Sequence, residues 1–189
     1  MPTDDEIYGR SALKNGEPWI TPESLKHLRT IIKPHWNVFE WGSGGSTAFW
    51  SRNCKSVISI EHNSEWIQRT TDIVNRLNCP HNYTIIYVKG DGTTDHTKAF
   101  REYANAILEY PDNSFDLVFI DGEASSRGWC ITNALPKLKS GGCLLVDNSN
   151  WLKESPSNTT NRLDFIEKGL KWVGQPGTFD WHTSIFTKE

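Results

Sequence analysis

Two short segments of this chain, residues 115–121 and 143–147, are apolar almost without interruption. Strands that are buried on both faces of a parallel sheet have this composition, because helices cover both sides of such a sheet. Between the two segments, residues 129–138 have the length and apolar content of a helix. Since parallel strands require a crossover connection, these segments predict a strand–helix–strand unit.

The first half of the chain repeats this alternation. A first helix is predicted to open at Thr21 and Pro22 and to stop at Pro34. Further strands are predicted at residues 38–40, 57–61 and 83–88, and further helices at residues 46–52, 64–77 and 98–110. Five such repeats predict an α/β fold with a doubly wound sheet between two helical layers.

The last part of the chain has a different pattern. A short helix is predicted at residues 163–170, followed by strands at residues 170–173 and 181–187 around a turn with glycine and proline. This pattern indicates a closing antiparallel hairpin. We expect one domain over residues 1–189, with a leader and helix at 1–35 and the core at 36–189.

Composition narrows the classes of function. The net charge is −3 and no Lys/Arg cluster stands out, so a nucleic-acid partner is not expected. No apolar run is long enough to cross a bilayer, so no membrane partner is expected. The four cysteines have no CxxC spacing, which favours reduced core thiols and a cytoplasmic location. The sequence does not determine the oligomeric state.

A glycine loop follows the first predicted strand, in the sequence EWGSGGST at residues 40–47. Gly42 and Gly44 allow a sharp turn and a close approach to a ligand. Glu61 ends the next strand, where a carboxylate can accept the hydroxyls of a ribose. Together these features favour nucleoside binding over a purely structural turn.

Glu40 bears on the kind of nucleoside. A carboxylate beside the loop would repel the pyrophosphate of a dinucleotide. The same carboxylate would attract the cationic amino and sulfonium groups of S-adenosylmethionine. The alternative is that Glu40 only forms hydrogen bonds with the loop itself.

Oxygen-bearing side chains follow the two apolar strands. Asp121 ends one strand, and Asp147 and Asn148 end the next. Ligands collect at this edge of an open α/β sheet, and three oxygen donors suit a hard divalent cation. The sequence therefore predicts a metal site, with Mg²⁺ favoured and Mn²⁺, Ca²⁺ or Co²⁺ left open. The alternative is that the aspartates are helix caps.

The glycine loop resembles the first motif of class I S-adenosylmethionine-dependent methyltransferases, and Glu61 resembles their ribose-binding acid. The resemblance covers roughly residues 36–187. It implies a Rossmann-like sheet of order 3-2-1-4-5-7-6 with strand 7 antiparallel. It also implies cofactor contacts from Glu40, Gly42, Ser43, Gly44, Ser46, Thr47, Glu61, His62, Gly90, Asp91 and Asp121.

Asp121, Asp147 and Asn148 further resemble the metal ligands of O-methyltransferases of the catechol and caffeoyl-coenzyme A type. The resemblance implies a metal-bound acceptor hydroxyl and a catalytic role for Asp121, whereas Glu123 is a candidate catalytic residue by its chemistry alone. The family's lysine or histidine base is absent, because Ala124 stands at that position. Chemistry alone offers Glu123, Arg127, His96 and His182 as bases, and proton loss to water is an equal alternative.

These observations predict a metal-assisted O-methyltransferase that uses S-adenosylmethionine and acts on a small molecule or glycan. The missing lysine and the short leader favour a vicinal diol of a sugar, such as a deoxyhexose like rhamnose. The nine tryptophans allow an aromatic substrate groove. A catechol or phenol acceptor, an NAD-dependent reductase and a catalytically silent nucleoside-binding module are the alternatives.

Overall fold

The computed structural model describes residues 4–90, 100–150, 170–172 and 182–189. Its helices are α1 Asp4–Asn15, α2 Pro22–Ile31, α3 Gly45–Asn53, α4 Ser64–Arg76, α5 Arg101–Asn105 and α6 Arg127–Lys137. Its strands are β1 Asn37–Trp41, β2 Ser56–Glu61, β3 Tyr83–Tyr87, β4 Phe115–Ile120, β5 Leu138–Val146, β6 Leu170–Trp172 and β7 Ser184–Lys188. Two short 3₁₀ turns, Ala106–Glu109 and Ala124–Ser126, precede β4 and α6 respectively.

The strands form one sheet in the order β3-β2-β1-β4-β5-β7-β6, which confirms the predicted topology. β1 lies parallel to both β2 and β4, with Glu40 opposite Ser59 on one side and opposite Phe119 on the other. β7 is antiparallel to β5 and β6. The chain order reverses between β1 and β4, so a crevice opens beyond the carboxyl ends of these strands.

The core consists of two apolar layers, one on each face of the sheet. Phe39 and Trp41 of β1 belong to the layer that contains Tyr103, Ile107 and other residues of the α5–α6 side. Val38 belongs to the opposite layer, together with Trp50 of α3. Because neighbouring side chains of a strand point to opposite faces, Glu40 lies on the same face as Val38. This alternation decides the environment of Glu40.

Three elements differ from the sequence prediction. The polar leader contains helix α1, which the sequence pattern missed because its stabilising contacts are tertiary: Ala12 is buried and Leu13 packs on the cluster around Ile73. The second difference is that β5 begins at Leu138, where the sequence predicts the end of a helix, and it contains Gly141 and Gly142 at an irregularity where the register to β4 shifts between Phe115 and Leu117.

Over residues 100–110, the described part of the helix predicted at 98–110, the α-helix is shorter than predicted. The segment contains α5 and the 3₁₀ turn Ala106–Glu109. Ala104 and Ile107 are buried, but Leu108 is 45% exposed. A 3₁₀ turn has three residues per turn, so the i+3 neighbour stays on the buried face and the i+4 neighbour leaves it.

Other predictions lie partly outside the described residues. The helix at 163–170 and the glycine-proline turn after β6 are among them. All four cysteines of the chain are buried and free, as expected for reduced core thiols. Within the residues that the structure describes, no helix is long and apolar enough to cross a membrane.

Candidate functional site

The glycine loop lies at the carboxyl end of β1 and contacts the loop after β4. Gly42 has a φ of 90°, which lies in the left-handed region that favours glycine. A Cβ atom at Gly42 would lie 2.9 Å from the backbone nitrogen of Gly122. The two loops therefore meet backbone to backbone, and a side chain at Gly42 would separate them.

Glu61 ends β2 beside this loop, and its side chain is almost completely buried. One carboxylate oxygen accepts hydrogen bonds from the backbone nitrogen and the hydroxyl of Ser43, at 2.8 and 3.1 Å. The other oxygen accepts from the backbone nitrogens of His62 and Asn63, both at 2.9 Å. Glu61 thus connects the glycine loop to the turn that starts α4.

These loops surround a cavity of about 270 Å³. Its lining consists of Leu13, Glu17, Trp19, Gly42, Ser43, Gly44, Gly45, Ser46, Glu61, His62, Asn63, Trp66, Asp121 and Gly122. Seven of the predicted cofactor residues are therefore brought together: Gly42, Ser43, Gly44, Ser46, Glu61, His62 and Asp121. Among the described lining residues, three are acidic and none is lysine or arginine, while Arg29 and Arg127 pair with Glu17 and Asp121 from outside the cavity. The cavity therefore suits a ligand that carries positive charge.

Glu40 and Thr47 do not line this cavity, in contrast to the prediction. Glu40 is fully buried, with one carboxylate oxygen accepting from the hydroxyls of Thr47 and Ser59 at 2.5 and 2.6 Å. Its other oxygen accepts from Trp50 Nε1 at 2.8 Å. The physical reason is the strand alternation, which turns Glu40 towards α3. Glu40 and Thr47 hold the loop from behind, since Thr47 also accepts from the Gly44 nitrogen at 3.1 Å.

Burial changes the ionisation of Glu40. Desolvation raises its pKa from 4.5 to about 7, and the hydrogen bonds from Ser59, Thr47, Ser46 and Trp50 oppose that rise. A direct attraction between Glu40 and a ligand cation, as the sequence suggested, therefore has no geometric basis here. The alternative, hydrogen bonding within the loop region, matches the structure.

The structure describes two of the three remaining predicted cofactor contacts, His62 and Gly90 but not Asp91. The His62 ring lies on the cavity wall and packs edge-on against Phe100 and Tyr103, with centroids 5.2 and 5.5 Å apart. Gly90 does not line the cavity, and a Cβ there would lie 2.7 Å from the Phe100 ring. Asp91 lies outside the described residues.

The three predicted metal ligands do lie near one another, but they surround Arg127, the first residue of α6. Arg127 Nη2 donates to Asp121 Oδ1 at 3.0 Å and to the Gly122 carbonyl at 3.2 Å. Nη1 donates to Asn148 Oδ1 at 2.9 Å and to the Asp147 carbonyl at 2.6 Å. The guanidinium group therefore bridges the ends of β4 and β5.

Asp147 is buried beneath this contact. Its Oδ1 accepts from the Thr183 hydroxyl at 2.7 Å, and Thr183 in turn accepts from the Thr21 nitrogen at 3.0 Å. Desolvation, followed by the nearby Asp121 carboxylate, raises the pKa of Asp147 to about 7, and Arg127 opposes the rise. Desolvation also raises the pKa of Asp121.

This arrangement does not fit a divalent cation. The side-chain oxygens predicted as ligands point to Arg127 or to Thr183. Among the described residues, no group of three or more His, Cys, Asp or Glu side chains that could hold a metal is present. One oxygen of each predicted ligand is therefore bonded to a protein group, and the Arg127 charge lies among them, where it would repel a divalent cation.

Arg127 was considered in the sequence only as a possible base. The sequence does contain a signal for the role of Arg127. A positive charge at the start of a helix interacts unfavourably with the helix dipole, so an arginine there indicates a specific anionic partner. Glu123, by contrast, caps the turn after it by accepting from the Ser126 nitrogen at 3.0 Å and from the Ser125 hydroxyl at 2.5 Å. Glu123 does not line the cavity, and Ala124 is exposed.

Sequence reasoning also missed the aromatic and N-terminal parts of the wall. Trp66 lines the cavity and donates from Nε1 to the Ser43 carbonyl. Trp36, Trp41 and Trp50, by contrast, are buried in the core. Glu17 follows α1 and lines the cavity while it pairs with Arg29. No signal for the position of Glu17 was available before the fold was known, because it depends on how α1 docks.

The fold and the cavity define a class: a Rossmann-like α/β protein with a glycine loop and an acid-lined cavity at the carboxyl edge of its sheet. Residues 39–149 match the model of a methyltransferase domain family. The match covers more than half of the chain, so the chain belongs to this family. It confirms the resemblance to class I methyltransferases seen in the sequence. Comparison with curated proteins gives no significant sequence match.

Solved structures share the fold. An O-methyltransferase from Bacillus cereus in complex with SAH is 17% identical, with a TM-score of 0.63, and the match covers 100% of this chain and 93% of that one. A putative O-methyltransferase from Klebsiella pneumoniae is also 17% identical, with a TM-score of 0.62 and coverage of 100% and 92%. The N-methyltransferase NodS from Bradyrhizobium japonicum is 16% identical, with a TM-score of 0.59 and coverage of 99% and 100%. At these identities the likeness concerns the fold alone.

Proposed function

We propose that this protein is an S-adenosylmethionine-dependent O-methyltransferase whose acceptor is a hydroxyl group of a sugar or glycan. The observation that carries the cofactor assignment is the charge of the cavity. Glu17, Glu61 and Asp121 line it, Arg29 and Arg127 pair with Glu17 and Asp121 from outside it, and Glu61 has no lysine or arginine partner among the described residues. A nucleoside with a sulfonium and an ammonium group gains from this field, whereas a dinucleotide pyrophosphate is repelled.

Several residues would hold the cofactor. Glu61, fixed by four hydrogen bonds, would accept a ribose hydroxyl in place of the Ser43 hydroxyl, which lies 3.0 Å from the Thr70 hydroxyl and can donate there instead. Gly42 and Gly44 would allow close approach to the loop backbone. When bound, S-adenosylmethionine supplies a methyl group on a positively charged sulfur. The residues of this chain supply the position and the negative charge of Glu61.

Asp121 is the residue that we assign to the acceptor hydroxyl. It lines the cavity, its side chain is 35% exposed, and its Oδ1 is fixed by Arg127. A carboxylate held in this way can accept the proton of a hydroxyl that approaches the cavity. Glu123 is less suited, because its carboxylate caps the following turn and does not line the cavity.

The sugar acceptor is supported by the aromatic surface beside the cavity. Trp19 is 37% exposed and lines the cavity together with Trp66. Aromatic faces suit the apolar face of a sugar ring and leave its hydroxyls free to reach Asp121. The two O-methyltransferases among the similar structures favour oxygen as the acceptor atom, although NodS shows that the fold also accommodates N-methylation.

Calorimetry tests the cofactor assignment. S-adenosylhomocysteine should bind with a measurable heat, whereas NAD should give none at the same concentrations. Methyl transfer from labelled S-adenosylmethionine should then be compared for a panel of sugars and a panel of catechols. Binding of NAD alone would exclude the proposed function. Transfer to catechols but not to sugars would keep the enzyme class and overturn the acceptor.

A further inference from the structure

We infer that Arg127 is the resident cation of this site and takes the place that a divalent metal has in metal-dependent O-methyltransferases. The chain retains the oxygen donors of such a site in Asp121, Asp147 and Asn148. It supplies the positive charge from its own helix α6. The methyltransferase domain therefore works without a divalent cation.

The hydrogen bonds of Arg127 support this inference. The guanidinium contacts both strand ends: Asp121 and Gly122 after β4, and Asp147 and Asn148 after β5. Its four N–O distances range from 2.6 to 3.2 Å. A planar guanidinium group with several fixed donors is suited to such a divided set of acceptors.

Burial makes the guanidinium hard to replace. The Arg127 side chain is 6% exposed, so its charge is compensated by Asp121 and by carbonyl and amide oxygens and not by bulk water. Removing one partner of a buried pair leaves an uncompensated charge, which is strongly destabilising. An incoming metal would have to displace this side chain and also lose its own water shell. Mg²⁺ in particular dehydrates reluctantly.

The two carboxylates explain why some cation is needed. Asp121 and Asp147 end neighbouring strands, and Asp147 is 5% exposed. Two carboxylates in a poorly solvated place repel each other unless a positive charge lies nearby. Arg127 is bonded to the Asp121 side chain and to the Asp147 backbone, so it supplies that charge.

An arginine in the place of the metal also affects the choice of acceptor, a consequence that rests on the proposed function. A metal selects a vicinal diol because two substrate oxygens can coordinate it. The Nη groups of Arg127 already donate to protein acceptors. Arg127 therefore does not bind a second hydroxyl of the acceptor in the way that a metal would. An acceptor with a single hydroxyl should therefore be methylated as well as a diol.

Calorimetry with Mn²⁺ tests the inference without any methyl acceptor. Wild-type protein should show no saturable Mn²⁺ binding, whereas Arg127→Ala, which frees the oxygen donors, should give a saturable isotherm with one Mn²⁺ per protein. Lys139→Ala is the matched control. Lys139 pairs with Asp116 at 2.8 Å at the other end of β4, where no second carboxylate ends the neighbouring strand, so its loss should create no Mn²⁺ site.

Saturable Mn²⁺ binding by the wild-type protein would overturn the inference. So would a folded Arg127→Ala variant that gains no Mn²⁺ binding. Circular dichroism should establish folding, and Arg127→Gln is the second variant if the alanine variant unfolds. Loss of fold in both variants, with no binding by wild type, would support the need for a fixed cation. Since no methyl transfer is measured, failure here is distinct from failure of the proposed function.

Discussion

The Glu61 carboxylate and Ser43 are joined by two hydrogen bonds, 2.8 Å from the Ser43 backbone nitrogen and 3.1 Å from its hydroxyl. This pair connects the end of β2 to the glycine loop after β1. The loop's conformation and the proposed ribose contact therefore depend on the same side chain. Cofactor binding and loop stability should respond together when it is changed.

Glu61→Gln should weaken S-adenosylhomocysteine binding by about tenfold to a hundredfold. The amide has no charge and one acceptor fewer, and a hydrogen bond to a charged group contributes about 1.5–3 kcal/mol. Isothermal calorimetry measures the affinity. Glu65→Gln, an exposed change in the first turn of α4, should leave it unchanged. Equal affinities for wild type and Glu61→Gln would exclude the ribose role.

Glu40→Gln should change how stability depends on pH. Because burial raises the pKa of Glu40 from 4.5 to about 7, the folded protein binds a proton that the unfolded chain releases. The free energy of unfolding of wild type should therefore fall as pH rises from about 4.5 to about 7, and this loss should persist above pH 7. The loss is about 3 kcal/mol at 1.36 kcal/mol per pKa unit.

Urea unfolding at pH 5 and pH 8 measures this difference. The amide introduced by Glu40→Gln can donate to the hydroxyls of Thr47 and Ser59 while its oxygen accepts from Trp50, so the variant should fold. Its stability should decrease less than that of wild type between the two pH values. Exposed Glu102→Gln should keep the wild-type dependence. A parallel dependence for wild type and Glu40→Gln would contradict the raised pKa.

Gly42→Ala and Gly141→Ala form a matched pair. Both glycines have a positive φ, 90° and 74°, so each alanine should cost about 1–2 kcal/mol for the left-handed backbone. Only at Gly42 would the Cβ also meet the Gly122 backbone, whereas nothing lies within 4 Å at Gly141. Gly42→Ala should therefore be the more destabilising change by about 1–3 kcal/mol.

Chemical denaturation measures the free energy of unfolding of the two glycine variants. Gly42→Ala should also weaken S-adenosylhomocysteine binding, because separating the two loops widens the cavity. Gly141→Ala should retain the wild-type affinity, since Gly141 lies within β5 and does not line the cavity. Similar losses of stability for both variants would show that the contact with Gly122 is unimportant.

Thr183→Val should destabilise the protein by about 1–3 kcal/mol, as expected when buried groups lose a hydrogen-bond partner. The hydroxyl of Thr183 donates to Asp147 and accepts from the Thr21 nitrogen, and valine can do neither. Thermal unfolding measures the loss. Thr183→Ser keeps the hydroxyl and should restore most of the stability. If serine were no better than valine, packing would be the cause.

Much of the fold could be predicted because it depends on local patterns. The near-continuous apolar strands β4 and β5 indicated a sheet covered on both faces, and the resemblance supplied the strand order. Helix α1 could not be predicted, because its stability comes from contacts of Ala12 and Leu13 with other helices. The 3₁₀ turn at Ala106–Glu109 was not predicted, because the spacing of apolar residues over so short a segment fits an α-helix and a 3₁₀ helix equally well.

The candidate site was predictable where chain position alone decides the location. Gly42, Ser43 and Glu61 meet because parallel strands end at one edge of the sheet, and the sequence showed which residues those are. The roles of Glu40 and Arg127 were decided by tertiary structure. Glu40 forms its bonds with α3 and β2, and Arg127 reaches loops 6 and 21 residues away. The sequence therefore determined which charged groups gather at the sheet edge, and only packing determined which of them neutralise one another, because charge pairing depends on distance and burial in space.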